Sequence, residues 1–220
     1  QNIRDLKASL GRTGIYALSV TLIQNALALL MAVILNGKFL KGRNFARAVY
    51  FMPVILGAAV VSTMWKLIFS TPTGPIYLFM QNVLGIENPP AVLSSYTYAF
   101  PAVIAAQIWQ NMGYSMVIFL AALQNIPADL YEAAYIDGAN EWQVFWRITL
   151  PMISPTVFYL IITGFIGAFK AYSDAVALFG TNLNAAGMNT IVGYIYDMLY
   201  GDSGGYPSFA SAAAIILFAI

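Results

Sequence analysis

The stretch 129–151, DLYEAAYIDGANEWQVFWRITLP, holds Asp129, Glu132, Asp137 and Glu141, four of the nine acidic residues in the chain. Glu132 and Asp137 are five residues apart and fall on different faces of a helix, so they do not form a paired-carboxylate acid–base site. Their chemistry is that of single carboxylates, each able to meet a basic group. A second cluster is polar without charge: Gln107, Gln110, Asn111 and Tyr114, with Ser115 beside them. The first four recur at three- and four-residue steps and share one helical face, which offers amides and a phenol as hydrogen-bond donors and acceptors. A third group, Phe169, Lys170, Tyr172, Ser173 and Asp174, combines aromatic faces with one cation. Cysteine and histidine are absent, which excludes disulfides, Ser–His and Cys–His nucleophilic sites, and the commonest metal ligand. No G-x-x-x-x-G-K-[ST] phosphate loop occurs; the NGK at 36–38 lacks both the upstream glycine and the following hydroxyl. The chain is therefore expected to be neither an enzyme nor an ATPase.

The elements that must carry these groups are set by composition. Sixty per cent of residues are apolar and nine per cent charged, and mean hydropathy is +0.73. A soluble domain carries roughly a quarter charged residues, so lipid is the expected solvent for most of this chain. A net charge of +1 leaves no basic field for nucleic acid. Long apolar runs in lipid must be helices, because backbone groups find no water there. The runs predict spans at Gly14–Leu35 (softened by Ser19, Thr21, Gln24 and Asn25), Ala48–Phe69, Thr97–Leu123 and Leu150–Phe169, with a fifth from Pro207 onward. The fold class expected is all-α, a polytopic membrane helical bundle with a cytoplasmic helix in the charged loop. The chain opens on Gln1 and stops inside an apolar run, so the expectation is a single membrane domain over 1–220, trimmed at both ends.

Orientation follows the distribution of Lys and Arg. Residues 36–47 carry Lys38, Lys41, Arg43 and Arg47 with no acid, which predicts a cytoplasmic loop; counting spans returns 124–149 to the same side. Arg4, Lys7 and Arg12 on the outer side oppose this assignment, and the compact 36–47 loop outweighs them. Surface helices are expected at 74–84 and 189–200 in the outer loops. Within 124–151, Pro127 suits a first helical turn and Asp129 and Glu132 suit its N-terminal end. Gly138 can supply the left-handed residue that stops that helix. Asn140 with Gln143 three residues later reads as a capping box for a second helix. Ala133 and Ala134 present little bulk to an approaching backbone. On these signals alone, an interfacial helix with Trp142, Phe145 and Trp146 at the lipid surface is an equal reading.

The segment Glu132-Ala133-Ala134-x-x-Asp137-Gly138-Ala139, followed by Phe145, Ile148, Leu150-Pro151 and Pro155, resembles the EAA loop of ABC-importer permeases of the carbohydrate-uptake group. LNGKFLKGRNFARAVYFMPVIL and WQNMGYSMVIFLAALQNIPADLYEAA are similar to the flanking segments of that group. The resemblance implies about six spans, of which about five are present here, and a coupling helix docking in a cleft of a separate ATPase subunit. Glu132 would pair with a basic residue there, Ala133 and Ala134 would allow close seating, and Asp137 and Gly138 would complete the turn.

It also implies a second homologous permease subunit, two ATP-binding cassette subunits that bind ATP and Mg, and an extracellular or periplasmic solute-binding protein. No cofactor is expected on this chain itself. The implied place is the bacterial cytoplasmic membrane, and the implied cargo a sugar or oligosaccharide, with polyols or glycerol phosphate esters as the alternative. A proton-driven transporter would want ionisable groups at membrane depth, and a passive channel would need no docking loop. By the same resemblance Gln107, Gln110, Asn111, Tyr114, Phe169, Lys170, Tyr172 and Ser173 fall where sugar permeases contact substrate. The amides serve equally as interhelical hydrogen bonders. Lys170 reads as a snorkelling side chain paired with Asp174, unless the cargo is acidic. Two departures from the group's pattern, FGTNLNAAGMN in place of a glycine-rich stretch and Lys170 in place of glutamine, bear on substrate rather than coupling.

Overall fold

The computed structural model describes residues 2–37, 42–172, 175–176, 178, 183, 189–201 and 205–219. Among them the regular structure is entirely helical. In chain order the helices are α1 (Asn2–Asn36), α2 (Arg43–Ile55), α3 (Ala58–Ile68), α4 (Pro75–Asn82), α5 (Tyr96–Gln124), α6 (Ala128–Ile136), α7 (Glu141–Met152), α8 (Ser154–Phe169), α9 (Ile191–Tyr200) and α10 (Pro207–Ala219). Lys38 and Lys41, on which the expected sidedness partly rests, lie outside the described residues.

Two helices are continuous and apolar enough to cross a membrane, Ile3–Asn36 and Thr97–Gln124. The expected second span is not one continuous helix but two, α2 and α3, interrupted at Leu56 and Gly57. Gly57 takes extended backbone angles as the N-cap of α3, and glycine holds a helix poorly. The expected fourth span is also divided. Ile153 leaves helical geometry, and α7 and α8 diverge by 65° across it. Pro151 and Pro155 flank that break, and neither has an N–H for the preceding turn. Two short helices fall where the sequence puts them, α4 within 74–84 and α9 within 189–200.

The chain divides into two compact units. One contains Gln1–Val20, Leu56–Gln107 and Phe165–Ile220. Its main core gathers Tyr16, Ala17 and Val20 of α1, Val103 of α5 and Ala168 of α8, with Trp65, Phe169 and Tyr172 packed around them. A second cluster seats Tyr194 and Met198 of α9 on Ala210 and Ala213 of α10. Two threonines satisfy the start of α9. The Ile191 N–H donates to Thr13 Oγ1 at 2.9 Å. Thr190 accepts from the Gly193 N–H at 3.3 Å and donates to the Ala171 carbonyl at 3.2 Å. First-turn N–H groups have no partner within the helix, so these contacts fix where α9 begins.

The other unit contains Thr21–Ile55 and Ile108–Gly164. Ala28, Ala32 and Leu35 of α1 meet Met116, Phe119, Leu120 and Leu123 of α5 around Ile153 and Leu160. The two alanines, one turn apart and fully buried, allow bulky α5 side chains to reach the α1 backbone. Gln24 and Asn25 are buried beside this core. Gln24 Nε2 donates to Ser115 Oγ at 3.1 Å and to the Asn111 carbonyl at 3.5 Å. Asn25 Nδ2 donates to the Thr21 carbonyl at 2.9 Å and to Leu160 at 3.5 Å.

Gly113 marks the tightest approach, since a Cβ there would overlap the Tyr50 carbonyl and meet Phe51 Cα at 3.0 Å. The obstacle is backbone and cannot rotate away. Gly113→Ala is expected to cost about 1–3 kcal/mol through overpacking. Gly167→Ala, with nothing within 4 Å of its Cβ, is the matched control. Thermal unfolding of the purified protein in detergent should show a melting temperature lowered by several degrees in the first variant alone; equal melting would refute the close contact.

Candidate functional site

The charged loop is built from two helix ends that each satisfy their own backbone. α6 ends at Ile136, and Asp137 still has near-helical angles. Gly138 then adopts φ +78, the left-handed region that a side chain disfavours. This turn sends the Gly138 N–H to the Tyr135 carbonyl at 3.1 Å and the Ala139 N–H to Ala134 at 2.9 Å. Those two bonds are the paired pattern of a Schellman motif, so the last carbonyls of α6 need no outside donor. Two residues later Asn140 Oδ1 accepts from the Gln143 N–H and Gln143 Oε1 accepts from the Asn140 N–H, both at 2.9 Å. The capping box expected from sequence is present. Pro127 differs slightly from expectation, standing just before α6 as its N-cap.

Two phenols brace α6 against α7. Tyr131 OH lies 3.2 Å from Thr149 Oγ1, and Tyr135 OH donates to Glu141 Oε1 at 2.9 Å. The Glu141 bond holds the Tyr135 phenol above its ordinary pKa, with burial and nearby negative charge acting in the same direction. The phenol therefore stays protonated, and the bond intact, throughout the neutral range. Within α7, residues Phe145–Thr149 form a π-helical turn, in which the Leu150 N–H reaches the Phe145 carbonyl. The wider turn comes immediately before Pro151, which has no N–H to continue an α-helical ladder. Neither the phenol braces nor the π turn follows from the sequence reading. The four-residue spacing of Tyr131 and Tyr135 and the position of Pro151 are the signals that could have pointed to them.

The five loop residues singled out from sequence are not equally placed. Glu132, Ala133, Asp137 and Gly138 are exposed. Ala134 is buried, 8% exposed, so its small side chain serves packing inside this chain, and Ala133 alone presents a small surface outward. Glu132 has no hydrogen bond or ion pair among the described residues. Beside Ala133 a hollow of about 520 Å³ opens between α6 and α7, lined by Leu130, Asp137, Gly138, Gln143 and Arg147 among others. On the same two helices Ile136 and Trp142 are 86% and 70% exposed. The loop thus offers a carboxylate, a bare helix face and two large apolar side chains on a stiff frame.

Along α5 burial grades down the amide face. Gln107, in the first unit, is buried. Gln110 and Asn111, in the second, are half-buried, and Tyr114 is 44% exposed. The Asn111 backbone carbonyl receives the Gln24 amide, so α1 contributes a polar residue to this region that the sequence reading noted only as softening a span. At the end of α8, Phe169 packs against the first unit's core and Lys170 is exposed. Tyr172 stacks on Tyr196. Ser173 and Asp174 lie outside the described residues, and with them the expected Lys170–Asp174 pair.

A family model described as "Binding-protein-dependent transport system inner membrane component" matches residues 24–220. The chain is 31% identical over 212 residues to the arabinooligosaccharides transport system permease protein AraP of Halalkalibacterium halodurans, covering 96% of this chain and 66% of that protein. It is 35% identical over 162 residues to the sn-glycerol-3-phosphate transport system permease protein UgpA of Agrobacterium fabrum, covering 73% of this chain and 54% of that one. The chain thus spans about two thirds or less of the length of these relatives. A solved bacterial ABC transporter involved in the import of the acidic polysaccharide alginate contains a chain with TM-score 0.85 and 25% identity, covering 98% of this chain and 76% of that chain.

The loop geometry generates a test of its own. Gly138→Ala should strain the left-handed turn by about 1–2 kcal/mol, whereas Gly138→Asn should be milder, since asparagine tolerates that region. Hydrogen exchange of the 134–144 segment reads the effect. Ala139 and Gly138 amides should exchange fastest in the alanine variant, and identical exchange in all three proteins would refute the Schellman turn.

Proposed function

This chain belongs to the family of binding-protein-dependent transport system inner membrane components, and on that premise we propose that it is a translocation subunit of an ATP-binding cassette importer for sugars or oligosaccharides. Residues 1–220 serve as one permease domain, with 124–149 as its cytoplasmic coupling loop and 36–47 on the same side of a bacterial inner membrane. The observation that carries the reading is the loop itself: the EAA-x-x-DGA segment has a stiff, doubly capped backbone and leaves Glu132 exposed and, among the described residues, unpaired. A surface carboxylate beside a bare alanine suits docking against a basic residue of an ATPase subunit. ATP and Mg are bound by two such partner subunits; a second homologous permease subunit completes the pathway, and a solute-binding protein delivers cargo from outside. Ala133, Asp137 and Gly138 shape the contact, and Ala134 supports it from within. Closure of the ATPases moves the loop as a rigid piece and switches the spans between inward-open and outward-open states.

The cargo reading draws on the amides Gln107, Gln110 and Asn111, the rings Tyr114, Phe169 and Tyr172, and Ser173, which together suit hydroxyls and flat C–H faces. Lys170 adds a cation that neutral sugars do not require, and the similarity to an importer of an acidic polysaccharide favours acidic oligosaccharides. The similarity to a glycerol-3-phosphate permease favours a phosphate ester as the second reading, and Lys170 would serve that anion equally.

Two outcomes test this. Glu132→Lys places like charge against the partner's basic residue, and a partly desolvated ion pair is worth a few kcal/mol. Uptake by the complete transporter should fall about tenfold or more with membrane insertion unchanged; normal uptake would refute the docking role. Lys170→Gln should abolish uptake of alginate oligosaccharides while sparing neutral arabino-oligosaccharides. Equal uptake of both by that variant would remove Lys170 from cargo recognition.

A further inference from the structure

Tyr172 is the first ring of an aromatic series that continues onto α9. The Tyr172 and Tyr196 rings stack with centroids 4.2 Å apart and planes within 13°. Tyr200 follows at 6.0 Å from Tyr196, tilted by 43°. Tyr196 and Tyr200 are one helical turn apart and so lie on one face of α9. The opposite face is fixed: Ile191, Tyr194 and Met198 are buried, the last two against α10. With its first turn held by Thr13 and Thr190, α9 presents its tyrosines from a firm seat. Tyr196 is 44% exposed and Tyr200 79%, so ring faces remain open beyond Tyr172.

The surroundings narrow what those faces take. Asp197 follows Tyr196 in α9, and burial, Tyr196 and Asp197 all raise the Tyr172 phenol above its ordinary pKa. α9 carries no lysine or arginine, so an anionic group here would have to be met by Lys170, two residues before Tyr172. Open ring faces with phenol hydroxyls match a pyranose or furanose ring, whose C–H face stacks while its hydroxyls hydrogen-bond. The series is also continuous with Tyr172, already a candidate for cargo contact. We propose that Tyr196 and Tyr200 form an outer stacking track for successive units of an oligosaccharide, extending the contact that begins at Tyr172. The proposal rests on the oligosaccharide reading above and adds to it a preference for longer chains, because each added ring finds another aromatic face.

The test uses the complete transporter in lipid nanodiscs, without the solute-binding protein. A Tyr200→Trp variant is titrated with arabinose pentasaccharide and with arabinose. The fluorescence of the variant, measured against the wild type, should change saturably, with an apparent Kd about tenfold lower for the pentasaccharide, and Tyr196→Ala on that background should weaken it. No saturable change, or equal affinity for monomer and pentamer, overturns the track. In a second arm, Tyr200→Leu and Tyr200→Trp are compared in proteoliposomes with the binding protein added. Slower pentasaccharide uptake in the leucine variant, restored by tryptophan, is expected. If the leucine variant instead loses binding-protein-stimulated ATP hydrolysis equally with every sugar, Tyr200 contacts the protein rather than the glycan, and the track is overturned. Wild-type transporter that imports no oligosaccharide refutes the functional reading, whereas import without any fluorescence change refutes the track alone.

Discussion

An amide or carbonyl group in hydrocarbon has no water to fall back on, and each unpaired one costs several kcal/mol. That constraint accounts for where the amide donors of Gln24 and Asn25 end up. Gln24 could not sit in α1 at 8% exposure without Ser115 and the Asn111 carbonyl opposite it, nor Asn25 without the Leu160 carbonyl. Because the partners come from two other helices, α5 and α8, these bonds also fix register: sliding α1 by one turn would strand both amides. Close packing then follows, with Ala28 and Ala32 admitting α5 side chains and Gly113 admitting the Tyr50 backbone.

The same constraint acts on helix ends, and the charged loop meets it locally. The Schellman turn at Gly138 satisfies the end of α6, and the Asn140–Gln143 box satisfies the start of α7. A loop that satisfies its own backbone does not need a partner to fold, which leaves its side chains available for docking. Tyr131 and Tyr135 tie the two helices together, so a push on α6 is carried to α7 as motion of one body rather than as bending of the loop.

How much of this was legible in the sequence depends on how far away the deciding partner lies. Gly138, the capping box, α4 and α9 are local signals, and each appears within a few residues of its expected place. The helical class follows from the length of the apolar runs, and the amide face on α5 from its three- and four-residue steps. The interrupted second span does not: Pro53 lies inside α2, and the helix ends two residues later, where Gly57 turns extended. Pro53 is visible in the sequence, but the exact stopping point is settled by packing. The partners of Gln24 and Asn25 on other helices lie 87 to 135 residues away, so nothing in their neighbourhood announces them. Ala134 illustrates the same limit, since a small residue in a docking pattern can face either the partner or its own core, and only the fold decides.

The placement of irregular backbone relative to the loop is then consistent with a mechanical role. α6 and the start of α7 are capped and braced, while the π turn at Phe145–Thr149 and the break at Ile153 lie just beyond them, before α8. A lever works when its arm is stiff and its compliance is confined to a joint. Here the wide turn departs from the α-helical ladder, as π-bulges at functional sites do, and Pro151 removes a further ladder bond before the break at Ile153. On the proposed function, force entering at Glu132 and Ala133 meets a rigid loop first and a deformable junction second. The deformation would therefore concentrate at residues 145–155, where the chain leaves the loop for the span, rather than at the docking surface that must keep its shape through each cycle.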